Sequence, residues 1–269
     1  MQRCAGLLSA FVLILSSAIL FPQPTAVAQE ASPVATEATR EPLFTTTVAP
    51  ADLPTGTNLR FVIWYASIEP DVEVVLEAEL FAEGPGPLIE HVLAGDLSLR
   101  VEGPLQVVRA GSVGTPGPVE EVTPGAEVVL RAGDTALYAQ NLARVYANRG
   151  AEPVRLIGGV LFAVPARVMP PVEYRVINFA PKNLAGGVGA GPITFEMERV
   201  TLAPAAVLPA PAGGAVRVAT SGPAVVYLPE ASDGSISNLV KESVVAYTLT
   251  LLPEKSEAGI AEATPNGTG

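Results

Sequence analysis

Residues 133–148 read GDTALYAQNLARVYAN, and this stretch decides the fold. Within it, residues 135–139 and 144–148 are short runs of mostly apolar and aromatic side chains, which predict two strands. The polar residues between them include Asn141, a residue that tolerates the left-handed backbone of tight turns. Two strands joined by so short a connection predict β-structure in the middle of the chain.

The flanking segments continue this pattern. Residues 72–80 alternate apolar side chains with mostly glutamate, so one strand face is dry and the other acidic. Residues 59–68 are apolar on both faces, as in a strand that is covered on both sides, and residues 96–102 alternate again. Short strands separated by glycine and proline indicate a barrel or sandwich. Further strands are predicted at 126–131, 154–164, 172–179, 193–202, 215–219, 224–228 and 243–252.

Composition excludes several classes of function. The chain has 269 residues and a formal net charge of -11, which would repel a nucleic-acid backbone or an anionic lipid surface. It contains one histidine, His91, and one cysteine, Cys4. Zinc and iron sites usually need several imidazole or thiolate ligands, so we predict no metal and no cofactor.

The first residues predict export. Arg3 precedes an uncharged, apolar stretch from Ala5 to Phe21, and Ala26-Val27-Ala28 supplies the small residues of a signal-peptidase site. We expect cleavage after Ala28 and a secreted or extracytoplasmic protein, most simply a bacterial one. Cleavage would remove Cys4 and leave no disulfide. An uncleaved leader would instead anchor the chain to a membrane.

Weak internal similarity links the two parts of the chain. Residues 67–70 resemble 201–204, and residues 152–154 resemble 242–244. Duplication with erosion and chance similarity between β-rich segments are both open.

The opening stretch resembles the second conserved motif of the cupin superfamily, which runs Gly, five residues, Pro, one residue, Gly, two residues, His, three residues, Asn. The first Gly and the Asn fall on Gly133 and Asn148 with the spacing intact. Ala139 and Asn141 replace the Pro and the second Gly, and Arg144 replaces the His. The resemblance implies a small double-sheet β-barrel with a central cavity.

Residues 91–97 resemble the end of the first cupin motif, which in metal-binding members places two histidines and a glutamate before its closing Gly. Counting back from Gly95 puts Leu88 at the glutamate position and residues 81–84 where the histidines belong. A guanidinium has no lone pair to donate, so Arg144 cannot replace the last histidine as a ligand. The resemblance, which covers about 57–164, therefore implies a barrel without metal ligands.

We predict an all-β fold: a cupin-like double-sheet β-barrel of the jelly-roll type, followed by a second, shorter β-rich half. An eroded second cupin is one open interpretation of that second half. The predicted divisions are a signal peptide (1–28), a flexible linker (29–43), the barrel (44–165), the second β-rich half (171–253) and a disordered tail (254–269).

A ligand site is predicted inside the first barrel, where a cation and aromatic side chains could face one cavity and hold a small organic anion or a sugar. In the alternative, Arg144 pairs with a glutamate such as Glu77 or Glu79 or points to solvent, and the aromatic residues fill the core. The predicted ligand-binding residues are Arg144, Tyr146, Tyr138 and Trp64.

The sequence gives less support to three other kinds of site: a serine-type catalytic site, a calcium site and a glycosidase carboxylate pair. Serine-type catalysis would need His91 as base, oriented by Asp96 or Asp134, without a nucleophile turn. The glutamates of residues 73–83 are best explained as a solvated strand face and not as a calcium site. Carboxylates available for a glycosidase pair are Glu90, Glu120 and Glu121.

The function predicted from the sequence is that of an exported, metal-free binding or structural module. The alternative is a metal-independent cupin-type isomerase or lyase that uses Arg144, a tyrosine and a glutamate for proton transfer. The expected partner is a small molecule, and no binding to nucleic acid is expected. Contact with a membrane is expected only if the leader is uncleaved. A homodimer is an open alternative.

Overall fold

The fold is described from a computed structural model. The described residues are 38–56, 58–78, 86–111, 117–139, 141–163, 175–185, 188, 191–213, 215–222, 228, 230–231 and 234–253. The predicted signal peptide, the start of the linker, the join between the two halves, most of the predicted strand at 224–228 and the tail lie outside them.

Regular structure in the described residues consists of strands and one short 3-10 helix, Pro50–Asp52. No helix in this part of the chain is long and apolar enough to cross a bilayer. The strands are β1 (Thr39–Val48), β2 (Asn58–Ile68), β3 (Glu73–Leu76), β4 (Pro87–Ala94), β5 (Leu97–Val101), β6 (Leu105–Val108), β7 (Val119–Val122), β8 (Glu127–Leu130), β9 (Thr135–Ala139), β10 (Arg144–Ala147), β11 (Val154–Ala163), β12 (Arg175–Ala185), β13 (Ile193–Leu202), β14 (Val207–Leu208), β15 (Val216–Ser221), β16 (Ile236–Ser237) and β17 (Val244–Pro253).

The strands form three antiparallel layers. The central sheet has the order β12-β2-β11-β4-β9-β6-β7, the first outer sheet β3-β10-β5-β8, and the second outer sheet β1-β13-β17-β15. A small ladder pairs β14 with β16. The central sheet is thus shared by two packing interfaces.

The central sheet is buried on both faces because its side chains alternate between two hydrophobic cores. On β2, Val62 and Ala66 pack in the first core, against the first outer sheet. Phe61 and Tyr65 pack in the second core, against the second outer sheet. The first core is the interior of a double-sheet barrel formed by β2 to β11. The predicted all-β fold with a double-sheet barrel is confirmed.

The N-terminal strand corrects the predicted linker. Residues 39–43, assigned to the flexible linker, belong to β1, which pairs along its length with β13. The segment shows no apolar period because Phe44 and Val48 are its only buried side chains. The first residues of β1 are therefore held in place by backbone pairing with β13 and not by burial of their side chains.

The two halves of the chain exchange their first strands. β1 precedes the first barrel but pairs with β13, whereas β12 precedes β13 but pairs with β2. Residues 44–48, which we assigned to the first barrel, thus extend the second outer sheet. The described residues, 38–253 with the gaps given above, all belong to one compact unit.

Asn148 fastens the turn before β11. Its Nδ2 donates to the carbonyl oxygens of Ile68 and Glu152, both at 2.9 Å, and its Oδ1 accepts from the backbone N–H of Gly150 at 3.0 Å. These bonds connect the end of β2 to the start of β11.

Asn238 does the same before β17. Its Nδ2 donates to the carbonyl oxygens of Leu202 at 2.9 Å and Glu242 at 2.8 Å, and its Oδ1 accepts from the N–H of Val240 at 3.0 Å. The acceptors and donors of the two asparagines occupy equivalent places relative to each side chain.

Two spacings relate the halves, 134 residues for the segment after β2 and 90 residues for the segment from Asn148 to β11. β11 and β17 begin at Val154 and Val244, 90 residues apart, as Asn148 and Asn238 are. Two non-glycine residues with left-handed backbone, Asp71 (φ 60°) and Ala205 (φ 61°), follow β2 and β13 at equivalent places. These spacings define which second-half residue corresponds to which first-half residue.

Candidate functional site

Three strands place four polar side chains in the first core. Glu90 lies on β4, Tyr138 on β9, and Arg144 and Tyr146 on β10. Successive strand residues point to opposite faces, so Arg144 and Tyr146, two positions apart, both point into the barrel. We refer to Glu90, Tyr138, Arg144 and Tyr146 as the polar cluster.

Short contacts connect the polar cluster. The Tyr138 hydroxyl lies 2.7 Å from Oε2 of Glu90, and the Tyr146 hydroxyl lies 3.0 Å from Oε1 of Glu90. The two hydroxyl oxygens are 2.6 Å apart. Arg144 donates from Nε to the Tyr146 hydroxyl at 2.7 Å and from a terminal nitrogen to the carbonyl oxygen of Leu142 at 3.2 Å. A phenol thus bridges a guanidinium and a carboxyl group.

The polar cluster is almost fully shielded from solvent. Glu90 and Tyr146 are 1% exposed, and Tyr138 and Arg144 are 4% exposed. The guanidinium carbon lies 5.6 Å from the Tyr138 ring centre and 5.9 Å from that of Tyr146, within range of cation–π attraction. A buried cation needs such partners, because an isolated charge in an apolar core is strongly unfavourable.

Burial also sets the protonation of the cluster. It raises the pKa of Tyr138 and of Tyr146 above the usual value, so both phenols keep their protons at neutral pH. Burial opposes the charge of Arg144, but the negative ends of the two phenols and Glu90 outweigh it and raise the pKa of Arg144. Arg144 is therefore a permanent cation within the barrel.

Trp64 lies beside the polar cluster. It pairs in register with Gly158, which pairs on its other side with Glu90. A Cβ on Gly158 would lie 2.1 Å from the Cε2 and Cζ2 atoms of Trp64, so the indole crosses the strand at the glycine. Trp64 is partly buried and packs against the first core. The structure thus brings all four predicted site residues into one core.

Sequence reasoning missed the partner of Arg144. We named Glu77 or Glu79, but the glutamate that shares the Tyr146 hydroxyl with Arg144 is Glu90. Glu77 is exposed, and Glu79 lies outside the described residues. The available signal was that Glu90 interrupts an otherwise apolar stretch of β4, where a charge must find a buried partner.

His91 points to the opposite face of β4 and does not join the cluster. Its Nδ1 lies 2.9 Å from the Thr135 hydroxyl, and burial lowers its pKa to about 4, although Asp134 opposes the shift. Asp134 itself accepts from Arg109 at 2.9 Å and from backbone N–H groups, so it is engaged elsewhere. The hypothesis of a serine-type arrangement around His91 is not supported by this geometry.

The described residues offer no clustered metal ligands. Within the described ranges, no three His, Cys, Asp or Glu side chains come together as a possible metal site. At the position where the cupin resemblance places the last histidine, the structure has Arg144 bonded to Tyr146.

Fold and site together define a double-sheet β-barrel with a buried Arg–Tyr–Tyr–Glu cluster. No protein-family model matches the sequence, and the search of curated proteins gives no match. Solved structures do match. A cupin domain of an XRE-family transcriptional regulator from Enterobacter cloacae is 15% identical and has a TM-score of 0.27, with 46% of this chain and 94% of that chain covered.

Two further matches extend over more of the chain. The protein YhaK from Escherichia coli is 12% identical over 77% of this chain and 92% of its own, with a TM-score of 0.35. A cupin 2 conserved barrel domain protein from Leptotrichia buccalis is 14% identical over 78% and 89%, with a TM-score of 0.24. At these identities the matches concern the fold alone.

Proposed function

We propose that this protein is an exported, metal-independent cupin-like binding module, and that the interior of its first barrel holds a small organic anion. The supporting residues are Arg144, which is a fixed cation, and the aromatic residues around it. A guanidinium in a fixed position suits a carboxylate, which it can bind through two parallel hydrogen bonds. A sugar stacked on Trp64 is the other ligand class consistent with this lining.

One observation supports a binding role over a purely structural one. The second half keeps the asparagine anchor of the first but has Gly234 and Ile236 at the positions that correspond to Arg144 and Tyr146. Ile236 is buried in its own apolar core. At these positions the second half therefore packs without charge, although it buries Arg217 elsewhere, where the guanidinium donates to Thr250 and to the carbonyl oxygen of Pro209. The fold does not require a charged cluster at the place where the first half has one.

The export part of the proposal is supported by the leader alone. Residues 1–28 have the charge order and the small-residue site of a cleaved signal peptide. Mass determination of the N-terminus of the protein from an expressing bacterium tests this. A mature chain that starts at Gln29 supports export, and retention of Met1 contradicts it.

A thermal-shift panel of organic acids, sugars and divalent metals tests the binding role, since a ligand that binds only the folded state raises Tm. We expect an organic acid at 100 times its Kd to stabilise the wild type by about 2.7 kcal/mol. Arg144→Met should abolish this shift, and Arg100→Met, which changes an exposed arginine, should keep it. Stabilisation by a micromolar transition metal would contradict the metal-independent proposal.

A second candidate function is a metal-independent isomerase or lyase. The contacts of Glu90 with two phenols favour it, because a carboxylate and a phenol 2.7 Å apart can relay a proton. In that case Tyr138→Phe should retain ligand binding but no longer turn over the bound acid. Incorporation of deuterium from solvent into the acid measures this turnover. Equal deuterium incorporation with and without the protein would dismiss catalysis.

A further inference from the structure

The second half buries a guanidinium that no carboxylate contacts. Arg217 on β15 is 5% exposed, and it donates from Nε to the Thr250 hydroxyl at 3.3 Å and from Nη1 to the carbonyl oxygen of Pro209 at 2.8 Å. Both acceptors are neutral, and none of the ion pairs of the described residues includes Arg217. Burying a charge without a contacting counter-charge costs free energy, so packing alone gives no reason for an arginine at this position.

The electrostatic surroundings of Arg217 are the reverse of those of Arg144. Burial lowers the pKa of Arg217, and Arg40 adds to this shift. Glu198 and Glu196 oppose the shift but do not outweigh it. Around Arg144, by contrast, the neighbouring groups outweigh burial and raise the pKa. Arg217 is therefore a cation whose charge the chain balances incompletely.

Part of the Arg217 guanidinium reaches solvent. A guanidinium has five N–H groups, and the two hydrogen bonds of Arg217 use two of them. Nη2 makes no hydrogen bond with the described residues, yet the fully buried side-chain polar atom without a partner in this part of the chain is Oγ1 of Thr248. Nη2 is therefore accessible to solvent and offers two N–H donors.

The strand register places Glu196 on the same face of the second outer sheet as Arg217. Arg217 pairs with Thr250 on β17, Thr250 pairs with Glu196 on β13, and directly paired residues share one face of a sheet. The residues that alternate with them point into the second core. Neighbouring strands are about 4.8 Å apart, so the backbones of Arg217 and Glu196 are about 10 Å apart. Because Arg217 bonds to Thr250, its charged end leans towards Glu196. We refer to these three residues as the second-half site.

This sheet face is covered at one end and open at the other. At the covered end, Val200 belongs to an apolar core that includes Leu208 of β14. Pro209, the next residue, accepts the hydrogen bond from Arg217, so Arg217 lies where the cover ends. Beyond it, Glu196 is only partly buried. A small molecule can therefore approach both charged groups from solvent.

The charges of the second-half site have opposite signs and do not contact each other. Glu198 is paired with Arg40 at 3.7 Å, whereas the Glu196 carboxylate has no hydrogen bond or ion pair within the described residues. An anion would be attracted by Arg217 and repelled by Glu196, and a simple cation would meet the opposite forces. A ligand that carries both charges is attracted by both residues.

We propose that the second half binds a small zwitterion of the α-amino-acid type between Arg217 and Glu196. The carboxylate of the ligand accepts from Nη2 of Arg217, and its ammonium group donates to the carboxylate of Glu196. The two charged groups of an α-amino acid are attached to the same carbon atom, which suits a site whose own charges face each other across a single strand. This site is separate from the polar cluster and does not depend on the function proposed for the first barrel.

Titration calorimetry of the purified protein with free glycine and free alanine tests the proposal. Acetate and methylamine, which carry one charged group each, are tested as competitors of glycine, so that binding elsewhere on the protein does not count. We expect glycine and alanine to bind. Each competitor should have a Kd at least about tenfold higher than that of glycine, because it lacks one charge-assisted hydrogen bond.

Glu196→Gln tests the site from the protein side, because the amide keeps the size of the side chain and removes its charge. It changes a partly buried residue at the open end of the face, and we expect a folded variant with the Kd for glycine raised about tenfold. Arg217→Lys removes the fork of donors and should weaken glycine binding as well. The matched control is Glu73→Gln, which changes an exposed strand glutamate of β3 and should keep the wild-type Kd.

Three outcomes would overturn the proposal. The first is a Kd for glycine that is the same in Glu196→Gln as in the wild type. The second is a wild-type protein that binds neither glycine nor alanine. The third is acetate that competes as tightly as glycine, since the site would then take a simple anion. If Arg217→Lys does not fold, Glu196→Gln and its control still decide.

Discussion

The two halves of the molecule share a turn anchor and differ in what they bury. Asn148 and Asn238 share three backbone hydrogen bonds at equivalent places, and Asn238 also donates to the carbonyl oxygen of Ala203 at 3.0 Å. The strand connection that they hold is common to both halves. The buried centres are unlike. At the positions of Glu90, Arg144 and Tyr146 the second half has Ala219, Gly234 and Ile236.

This difference separates what the fold needs from what a site needs. Side-chain amides that satisfy buried carbonyl groups are required wherever that turn is made. A buried ion pair is not required by a fold, because apolar residues of similar volume often stabilise a core at least as well. The asparagines therefore serve the fold, and the contrast supports the binding role proposed above for the polar cluster.

The largest expected effect comes from breaking the polar cluster on one side. Arg144→Met should lower the free energy of unfolding by about 3–5 kcal/mol at pH 7, because it leaves Glu90 without its cation. Urea unfolding at pH 7 measures this value, and Arg100→Met should stay within about 0.5 kcal/mol of the wild type.

Removing the shared anchor should affect both halves alike. Asn148→Ala and Asn238→Ala each remove side-chain hydrogen bonds to buried backbone groups, and we expect each to cost about 3 kcal/mol. The two variants should also agree within roughly 1 kcal/mol by the same urea assay. If Asn238→Ala alone lowered the free energy of unfolding by less than about 1 kcal/mol, the second half would not depend on the anchor.

His91 should make the first half acid-sensitive. Its pKa falls to about 4 in the folded chain from an ordinary 6.5, so between these values the unfolded chain binds more protons and stability drops as pH falls. We expect a loss of roughly 2 kcal/mol between pH 7 and pH 5 from this residue. His91→Gln should make the free energy of unfolding less dependent on pH between pH 5 and pH 7. An unchanged slope would contradict the attribution of this acid sensitivity to His91.

The smallest effect is expected in the second half. Thr248 is fully buried, and its hydroxyl is the one buried side-chain polar atom of the described residues without a hydrogen-bond partner. Thr248→Val should raise the free energy of unfolding by about 1 kcal/mol, because it removes that unsatisfied group. Thr250→Val is the control and should not stabilise, since the Thr250 hydroxyl accepts from Arg217 at 3.3 Å.

Strands with a clear period could be predicted from the sequence. The predictions at 135–139 and 193–202 match β9 and β13, and 59–68 matches β2 to within one residue. β1 was missed because most of its side chains are exposed and its pairing partner is distant in the chain. The strand predicted at 72–80 ends at Leu76, since alternation does not show where a ladder stops.

The site could be predicted in part for the same reason. Arg144 and Tyr146 are two positions apart on one strand, so their shared face follows from the sequence. Glu90 approaches them from β4, in the opposite sheet of the barrel, and no local pattern encodes that approach.

The most direct test of the account converts the polar cluster into an apolar core with the combined change Glu90→Leu, Tyr138→Phe, Arg144→Met and Tyr146→Phe. Urea unfolding and acetate calorimetry are then measured on the same sample. We predict a folded protein at least as stable as the wild type that has lost acetate binding. A variant several kcal/mol less stable than Arg144→Met alone would show that the cluster serves the fold and would contradict its assignment as a binding site.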